Sequence, residues 1–358
     1  MGGFAGMTGA ARQLRHSKSA GTTERVWVLD DPRAGTSAQA IGIAERLGVP
    51  FRRIPLSWNW MAHVAALARR GSLLGLSVPS SGEDARATPW TMQTTMVAAR
   101  SAAPRLVISA GSRSASVGLW LKARFDCRLV HCMRPGLAGL FRADAYDMLV
   151  IPEHDRPRAG DNVFPTLGAP HRLSPLLLRQ AAGSWHDRLD HLPHPRVALA
   201  VGGGLSPAQA HLLGRDVARL AIERGGAVLA TTSRRTSEEA TEALGAGLGR
   251  ALHLLYRWGE PGENPYRGFL AIADAIVVTA DSVSMLSEAC AGAGPVFAAL
   301  PHLANLRQRR FLATLEARGQ IRVLGDDLSP WPRTPLDEAG RVAHEILRRF
   351  PLELSGAE

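Results

Sequence analysis

The chain has 358 residues and a formal net charge of +10. This length is sufficient for two domains, and no apolar run approaches the length of a membrane span. The three cysteines, Cys127, Cys132 and Cys290, lack a metal-type spacing, which indicates a reducing compartment and no zinc site. The charge favours an anionic partner. Nucleic acid is not indicated, because no nucleic-acid motif is present and few aromatic residues could stack on bases.

Residues 1–23 contain glycines, serines and basic side chains but no apolar core. They are predicted to be a disordered basic tail rather than a signal peptide. From residue 24 onward, strand patterns alternate with helix patterns, which is typical of α/β layers with mostly parallel sheets. The first half, residues 24–190, is predicted to contain helices over Ala38 to Leu47 and Ser57 to Arg70, and strands over Val26 to Leu29, Phe51 to Leu56, Arg105 to Ser109, Leu129 to Met133, Met148 to Ile151 and a short segment after Asn162.

A joint rich in Pro and His, residues 191–195, separates this half from a second α/β alternation. The second half, residues 195–330, is predicted to contain strands over Val197 to Val201, Ala227 to Ala230, Leu252 to Tyr256, Ile276 to Val278 and Pro295 to Ala299. A basic helix is predicted over Arg307 to Arg318. Residues 331–358 are predicted to form a last helix, Leu336 to Arg349, and a tail. The fold class is therefore α/β with two comparable halves.

Residues 275–289 are predicted to form a buried strand, a polar turn and a helix. Asp281 or Ser282 can serve as the N-cap of that helix. Ser284 and Glu288 are four residues apart and lie on one helix face. A helix N-terminus favours a phosphate, and the Glu288 carboxylate could accept hydrogen bonds from sugar hydroxyls such as those of a ribose. The alternative interpretation is an ordinary capped turn with a solvated glutamate.

The other strand ends of the second half also carry glycines, hydroxyl groups, arginines and an aromatic side chain. Ligands bind at such strand ends in parallel α/β sheets, so together these groups describe a cleft for an anionic nucleotide with a sugar attached. The candidate donor-binding residues are Gly203, Gly204, Ser206, Thr232, Ser233, Arg234, Arg235, Trp258, Asn264, Asp281, Ser282, Ser284 and Glu288.

Six motifs, in this order along the chain, resemble the mitochondrial-fission "elongated mitochondria" family. They are Gly35-Thr36-Ser37-Ala38-Gln39, Ser109-Ala110-Gly111-Ser112-Arg113, Pro152-Glu153-His154-Asp155, Thr232-Ser233-Arg234-Arg235-Thr236, Asn264-Pro265-Tyr266 and Thr279-Ala280-Asp281-Ser282-Val283-Ser284-Met285. The resemblance covers roughly residues 25 to 320. Bacterial members of the family are described as nucleotide-sugar glycosyltransferases.

The resemblance implies a GT-B-like pair of Rossmann-like domains whose parallel sheets face a cleft, with the donor on the C-terminal domain and the acceptor on the N-terminal one. The substrate would be a nucleoside-diphosphate sugar, with no further cofactor. Such enzymes generally need no metal, and no Asp-x-Asp motif is present to hold a cation on a diphosphate. The acceptor-side loops would contribute Gly35, Gln39, Gly111, Arg113 and Arg134.

In such an enzyme the leaving diphosphate would be neutralised by the helix N-terminus and by Arg234 or Arg235. Two candidates could take the acceptor proton: His154, oriented by Glu153 or Asp155, and Asp31. The alternative for His154 is a local turn contact. The chain departs from the family pattern at residues 30–35 and at Cys132-Met133, both on the acceptor side.

Three functions follow, in this order. The first is a glycosyltransferase that moves a sugar to an envelope or lipid-linked acceptor, in the cytoplasm and peripheral to an anionic inner membrane, aided by the basic segment 307–310. The second is a non-catalytic membrane-associated adaptor of the mitochondrial-fission type. The third is a nucleotide-sugar 2-epimerase, which shares the GT-B architecture.

Overall fold

The computed structural model describes residues 24–58, 76–77, 103–136 and 143–351. Over these ranges the chain forms two parallel six-stranded sheets with helices on both faces, which confirms the predicted α/β class. The predicted tail, residues 1–23, lies outside the described residues, and so does most of the helix predicted over Ser57 to Arg70. That prediction is wrong at its first two residues, because Ser57–Trp58 is a strand that pairs antiparallel with Leu76–Ser77.

The first half supplies one sheet and two of the helices that cover it. Its elements are β1 (Val26–Asp30), α1 (Ala34–Leu47), β2 (Phe51–Pro55), the ribbon of β3 (Ser57–Trp58) and β4 (Leu76–Ser77), β5 (Leu106–Ala110), α2 (Ser112–Phe125), β6 (Arg128–Cys132), β7 (Met148–Pro152) and β8 (Val163–Thr166). The order in the sheet is β2-β1-β5-β6-β7-β8. Strands β5 and β7 are buried throughout because both faces of the sheet are covered.

The second half repeats this plan. Its elements are α3 (Pro175–Leu189), β9 (Arg196–Val201), α4 (Pro207–Ile222), β10 (Ala227–Thr232), α5 (Glu238–Leu248), β11 (His253–Tyr256), α6 (Tyr266–Ile272), β12 (Ala275–Thr279), α7 (Val283–Ala289), β13 (Val296–Ala299), α8 (Leu306–Ala317), β14 (Arg322–Val323) and α9 (Glu338–Arg349). The order in the sheet is β11-β10-β9-β12-β13-β14. The predicted strands of both halves are thus confirmed to within a few residues.

Each sheet has a point where the chain reverses the direction in which it adds strands. In the first sheet this switch lies between β1 and β5, and in the second it lies between β9 and β12. The chain leaves the two strands there towards opposite faces of the sheet, which leaves a crevice beyond their carboxyl ends that is suited to a ligand. The predicted loops after β1, β5, β9 and β12 therefore lie at the two places where this fold provides crevices.

Side-chain packing crosses the predicted division between residues 190 and 195 in both directions. Helix α3 precedes the joint, yet Leu178, Trp185 and Leu189 belong to the core beneath the second sheet. Helix α9 follows the second sheet, yet Val342 and Ile346 pack in the core of the first sheet, against α1. Each helix packs its apolar stripe on the sheet surface that is otherwise uncovered, and this decides which half the helix belongs to.

Among the described residues, two of the contacts between the halves bury a histidine. At the first, the 3₁₀ turn Glu153–Asp155 packs on α8: Arg307 donates to both oxygens of Asp155 at 2.7 Å, and Arg318 donates to Glu153 at 2.9 Å. His154 lies between these ion pairs, 3% exposed and 5.0 Å from the ring of Phe311. Neither of its ring nitrogens has a hydrogen-bond partner within the described part of the chain.

At the second contact, the crossover segment, residues 167–174 between β8 and α3, contacts α7. The amide N–H of Ala169 donates to Ser287 Oγ at 3.0 Å, and His171 Nε2 donates to the carbonyl oxygen of Ser287 at 3.1 Å. On its other side the His171 backbone lies so close to Gly42 of α1 that a Cβ there would overlap it. The crossover is therefore enclosed between one helix of each half.

Gly268 of α6 and Gly183 of α3 should respond to alanine with opposite signs. A Cβ at Gly268 would overlap the Trp185 ring, whereas Gly183 has open space. We expect Gly268→Ala to destabilise the protein by about 1–3 kcal/mol through overpacking. Gly183→Ala, in an exposed helix interior, should stabilise it by about 0.5–1 kcal/mol. Urea denaturation of both variants measures this, and equal shifts would contradict the packing described.

The buried histidines predict a loss of stability in mild acid. Burial lowers the pKa of His154 to about 4, with Arg307 lowering it further and Asp155 opposing; burial likewise lowers the pKa of His171 to about 4. Below the ordinary histidine pKa, near 6.5, the unfolded chain takes up protons that the folded chain does not. Stability should therefore be fully present above pH 6.5 and fall as the pH drops from 6.5 towards 4.

Replacement of His154 isolates its share of this loss. His154→Gln should reduce the pH slope of the unfolding free energy by about 1.4 kcal/mol per pH unit in that window. His186→Gln, whose ring is exposed in α3, is the control and should leave the slope unchanged. Identical slopes for the two variants would show that His154 does not stay neutral in its contact.

Candidate functional site

The strand, turn and helix predicted over residues 275–289 are confirmed as β12 and α7. Of the two predicted N-caps, Ser282 is the one used: its Oγ accepts from the amide N–H of Met285 at 3.4 Å. Asp281 turns away from the helix, back towards the end of β9. The Asp281 side chain therefore lies at the crevice between β9 and β12 and not at the end of the helix.

Asp281 binds the glycine loop that follows β9. Its Oδ2 accepts from the amide N–H groups of Gly203 at 3.0 Å and Gly204 at 3.2 Å, and its Oδ1 accepts from Thr279 Oγ1 at 2.7 Å. The carboxylate is 8% exposed, and one nitrogen of the Arg235 guanidinium lies 3.7 Å away. The amide donors of the glycine loop are thus engaged by a side chain of the protein.

The glycines of this loop are required by neighbouring side chains. A Cβ at Gly202 would overlap the Asp281 carboxylate, and one at Gly203 would overlap Arg235. Gly203 and Gly204 were predicted to bind the donor. Internal packing is sufficient to explain them.

The hydroxyl-rich loop after β10 lies beside the glycine loop. Thr232 Oγ1 accepts from the amide N–H of Trp258 at 3.0 Å, and Ser233 is held by Thr236. Arg234 and Arg235 are exposed, and the Trp258 ring is 53% exposed. These three side chains are therefore accessible at the strand ends, whereas the hydroxyl groups chiefly fix the loops that carry them.

Glu288 lies on α7, one turn beyond Ser284. One of its oxygens accepts from the Tyr266 hydroxyl at 2.8 Å, and the other accepts no hydrogen bond from the described residues. Burial raises the pKa of Glu288 despite the Tyr266 hydrogen bond and Arg267. Tyr266 occurs in one of the six motifs but was not a predicted site residue; its spacing from Glu288 gives no sign of contact. Asn264 orders the start of α6 by accepting from the amide N–H of Tyr266.

The first half presents its own loops at the crevice between β1 and β5. Asp31 accepts three hydrogen bonds from Arg33, through the backbone at 2.9 Å and the guanidinium at 2.8 and 3.0 Å. Gly111 has a φ of 82° and lies against Thr36 and Arg33, so only glycine fits both its backbone and its space. The helix that follows Asp31, α1, begins at Ala34, four residues earlier than predicted.

The two crevices adjoin one another. A Cβ at Gly35, in the first turn of α1, would lie 3.1 Å from Ser284 Oγ in the first turn of α7. Gln39 is buried one turn further along α1, where its side chain donates to the carbonyl oxygen of Gly35 at 3.4 Å. The structure thus brings the predicted acceptor-side residue Gly35 and the predicted donor-side residue Ser284 together.

Other predicted residues have structural partners. Glu153, His154 and Asp155 contact α8, and Arg134 donates to the backbone carbonyl groups of Asp155 and Arg156. Ser206 is the N-cap of α4, in a capping box with Gln209. Arg113 lies in the first turn of α2. Arg307 and Arg318, which hold the 3₁₀ turn, were not predicted as its partners, because the residues they bind are more than 150 positions away.

Over the described ranges, no group of three or more His, Cys, Asp or Glu side chains is arranged to hold a metal ion. In the same part of the chain, no helix combines the length and the apolar character needed to cross a membrane.

Two solved structures with low sequence identity share the fold. The UDP-GlcNAc 2-epimerase from Methanocaldococcus jannaschii is 11% identical, with a TM-score of 0.55 over 90% of this chain and 99% of that one. Os79 from O. sativa, solved in complex with UDP, is 12% identical, with a TM-score of 0.52 over 92% of each chain. The likeness shows a GT-B-like fold, as the sequence motifs implied.

Relatives by sequence are closer. The chain is 31% identical over 237 residues to the Mitochondrial fission protein ELM1 of Arabidopsis thaliana, a match that covers 57% of this chain and only 55% of that protein. It is 24% identical to the Uncharacterized protein RP120 of Rickettsia prowazekii (strain Madrid E), over 92% of this chain and 99% of that protein. Residues 34–350 match the family described as Mitochondrial fission ELM1. The chain belongs to the mitochondrial fission ELM1 family.

Proposed function

We propose that this protein binds a nucleoside-diphosphate sugar between its two sheets and transfers the sugar to an envelope or lipid-linked acceptor. One observation carries the proposal: the switch-point crevices of the two sheets adjoin at Gly35 and Ser284. Each crevice is a ligand position of an open α/β sheet. Two ligand positions side by side are what a transfer between a donor and an acceptor requires, because the reacting groups must be held in contact.

The donor would bind to the second half. The free oxygen of Glu288 can accept hydrogen bonds from ribose hydroxyls, and the exposed Trp258 ring can stack on the base. Arg234 and Arg235 would neutralise the diphosphate as it leaves. Two structural neighbours support this assignment, because Os79 binds UDP and the Methanocaldococcus protein acts on UDP-GlcNAc.

The acceptor would lie against the first half, where Asp31 is our proposed base. Asp31 directly follows β1 in the crevice itself, and movement of the Arg33 side chain would leave its carboxylate with only the amide N–H of Arg33 as a hydrogen-bond donor among the described residues. His154, the other candidate, would be released only if the 3₁₀ turn separated from α8 and broke two ion pairs. Asp31 therefore needs the smaller rearrangement to accept a proton.

An anionic membrane remains the proposed location of the acceptor. Helix α8 presents Arg310 and the 66% exposed Leu306 to solvent, a basic and apolar combination suited to the surface of anionic lipids. Arg307 contributes less than predicted, because its charge is used by Asp155.

A non-catalytic adaptor is the second candidate. Asp281 already accepts the amide N–H groups of the glycine loop, as expected of a protein that no longer binds a nucleotide sugar. Assays with candidate nucleotide sugars distinguish the functions. Sugar transfer or donor hydrolysis supports the enzyme, and the absence of both activities supports the adaptor. Interconversion of free sugar nucleotides identifies a 2-epimerase.

Replacement of Glu288 tests the donor site. We expect UDP to raise the melting temperature of the wild-type protein. Glu288→Ala should weaken UDP binding by about 10- to 100-fold, the loss of hydrogen bonds to a charged group worth about 1.5–3 kcal/mol. Glu242→Ala, an exposed glutamate on α5, is the matched control and should bind UDP as the wild type does. A panel of nucleoside diphosphates without any thermal shift would refute the proposal.

The pH dependence of UDP binding tests the same carboxylate independently. The raised pKa of Glu288 means that its ionised form is lost at a higher pH than for an ordinary glutamate, near 4.3. Affinity for UDP should therefore decline with falling pH before an ordinary glutamate would titrate. Glu288→Gln should remove this component, and its difference from the wild type excludes protonation of the nucleotide itself. Parallel pH curves for the two proteins would show that Glu288 does not contact the ligand.

A further inference from the structure

The carboxylate of Asp281 lies where the phosphate of a ligand would be expected. It accepts the amide N–H groups of Gly203 and Gly204 at 3.0 and 3.2 Å, and Arg235 lies 3.7 Å away. Two successive amide donors beside a guanidinium form an anion-binding position at the end of a strand. The structure thus contains an anion at this position, supplied by its own chain.

The surrounding loop is shaped to this carboxylate. Gly202 has no room for a Cβ because the Asp281 side chain fills that space, and Gly203 has none because of Arg235. Thr279 links the same groups, since its Oγ1 donates to Asp281 and accepts from the amide N–H of Gly202 at 2.7 Å. The loop is therefore held by contacts within the chain.

The backbone of Asp281 is fixed independently of its side chain. Gln308 on α8 donates to the carbonyl oxygen of Asp281 at 2.6 Å, and Ser282 begins α7 directly afterwards. The carboxylate could thus leave the amide groups by side-chain rotation while the turn keeps its place. A diphosphate that approached Gly203 and Gly204 would meet a like charge until this happened.

We propose that Asp281 is an internal substitute for the diphosphate: it keeps the glycine loop in shape when the site is empty, and it yields the two amide donors and Arg235 when a diphosphate binds. The inference rests on the proposed function for the identity of the donor, but it concerns only the diphosphate. The residue acts by positioning the loop, and its charge sets how tightly a diphosphate can bind.

Inorganic pyrophosphate is the probe that separates this role from nucleotide recognition. Asp281→Asn keeps an oxygen acceptor for the loop and removes the charge, so it should bind pyrophosphate at least about tenfold more tightly than the wild type. Asp274→Asn is the matched control. Asp274 immediately precedes β12, accepts from the amide N–H of Arg196 at 2.6 Å, and lies at the opposite end of the strand from Asp281. It should show no gain, although its change in net charge is the same.

Calorimetric titration of the three proteins gives decisive outcomes. A gain confined to Asp281→Asn supports the proposal; no gain, or an equal gain in Asp274→Asn, overturns it. A purely structural role predicts a lower melting temperature without tighter binding, which also overturns it. Arg235→Gln is a second variant, expected to weaken pyrophosphate binding about tenfold, and unchanged binding would contradict the transfer of Arg235 to the ligand.

A parallel titration with UDP distinguishes the two proposals. If pyrophosphate binds more tightly to Asp281→Asn but UDP binds no better than pyrophosphate to any variant, the role of Asp281 stands and nucleotide recognition fails. If UDP binds the wild type and Asp281→Asn equally well, the donor site stands and the role of Asp281 is overturned.

Discussion

The arrangement of the two halves depends on the attachment of α7 to the crossover segment. Ser287 accepts from the amide N–H of Ala169 through its side chain and from His171 through its carbonyl oxygen. These bonds are buried, where an unpaired partner would be costly, and they hold the second sheet's switch-point helix against the chain that leaves the first sheet. The approach of Ser284 to Gly35 follows from this attachment, and with it the contact between the two crevices.

Charge in this protein is largely used within the fold. The basic composition suggests a surface for phosphate or membrane, yet Arg307 and Arg318 pair with Asp155 and Glu153. Arg333 likewise donates to backbone carbonyl groups at the end of α7. Because several arginines join segments far apart in sequence, the excess positive charge marks intramolecular contacts as well as sites for partners.

The family motifs and the fold indicate the same region of the molecule. The family motifs place glycines, hydroxyl groups and arginines at strand ends, and the GT-B-like fold makes those ends adjoin. Both crevices already contain a carboxylate that is bound within the protein: Asp31 is held by Arg33, and Asp281 holds the glycine loop. Under the proposed function, a substrate would have to replace a partner of each.

Local sequence patterns predict the α/β class, the positions of most strands and the loops at their carboxyl ends, because β-branched runs, glycines and caps act over a few residues. They also place Glu288 on the helix that follows the turn at Asp281. The folded structure was needed to show that Asp281 binds Gly203 and Gly204, that Glu288 contacts Tyr266, and that His154 is buried against Phe311. Those contacts join segments separated by 22 to 157 positions, and their partners are selected by sheet order and by the packing of one half on the other, which no local pattern encodes.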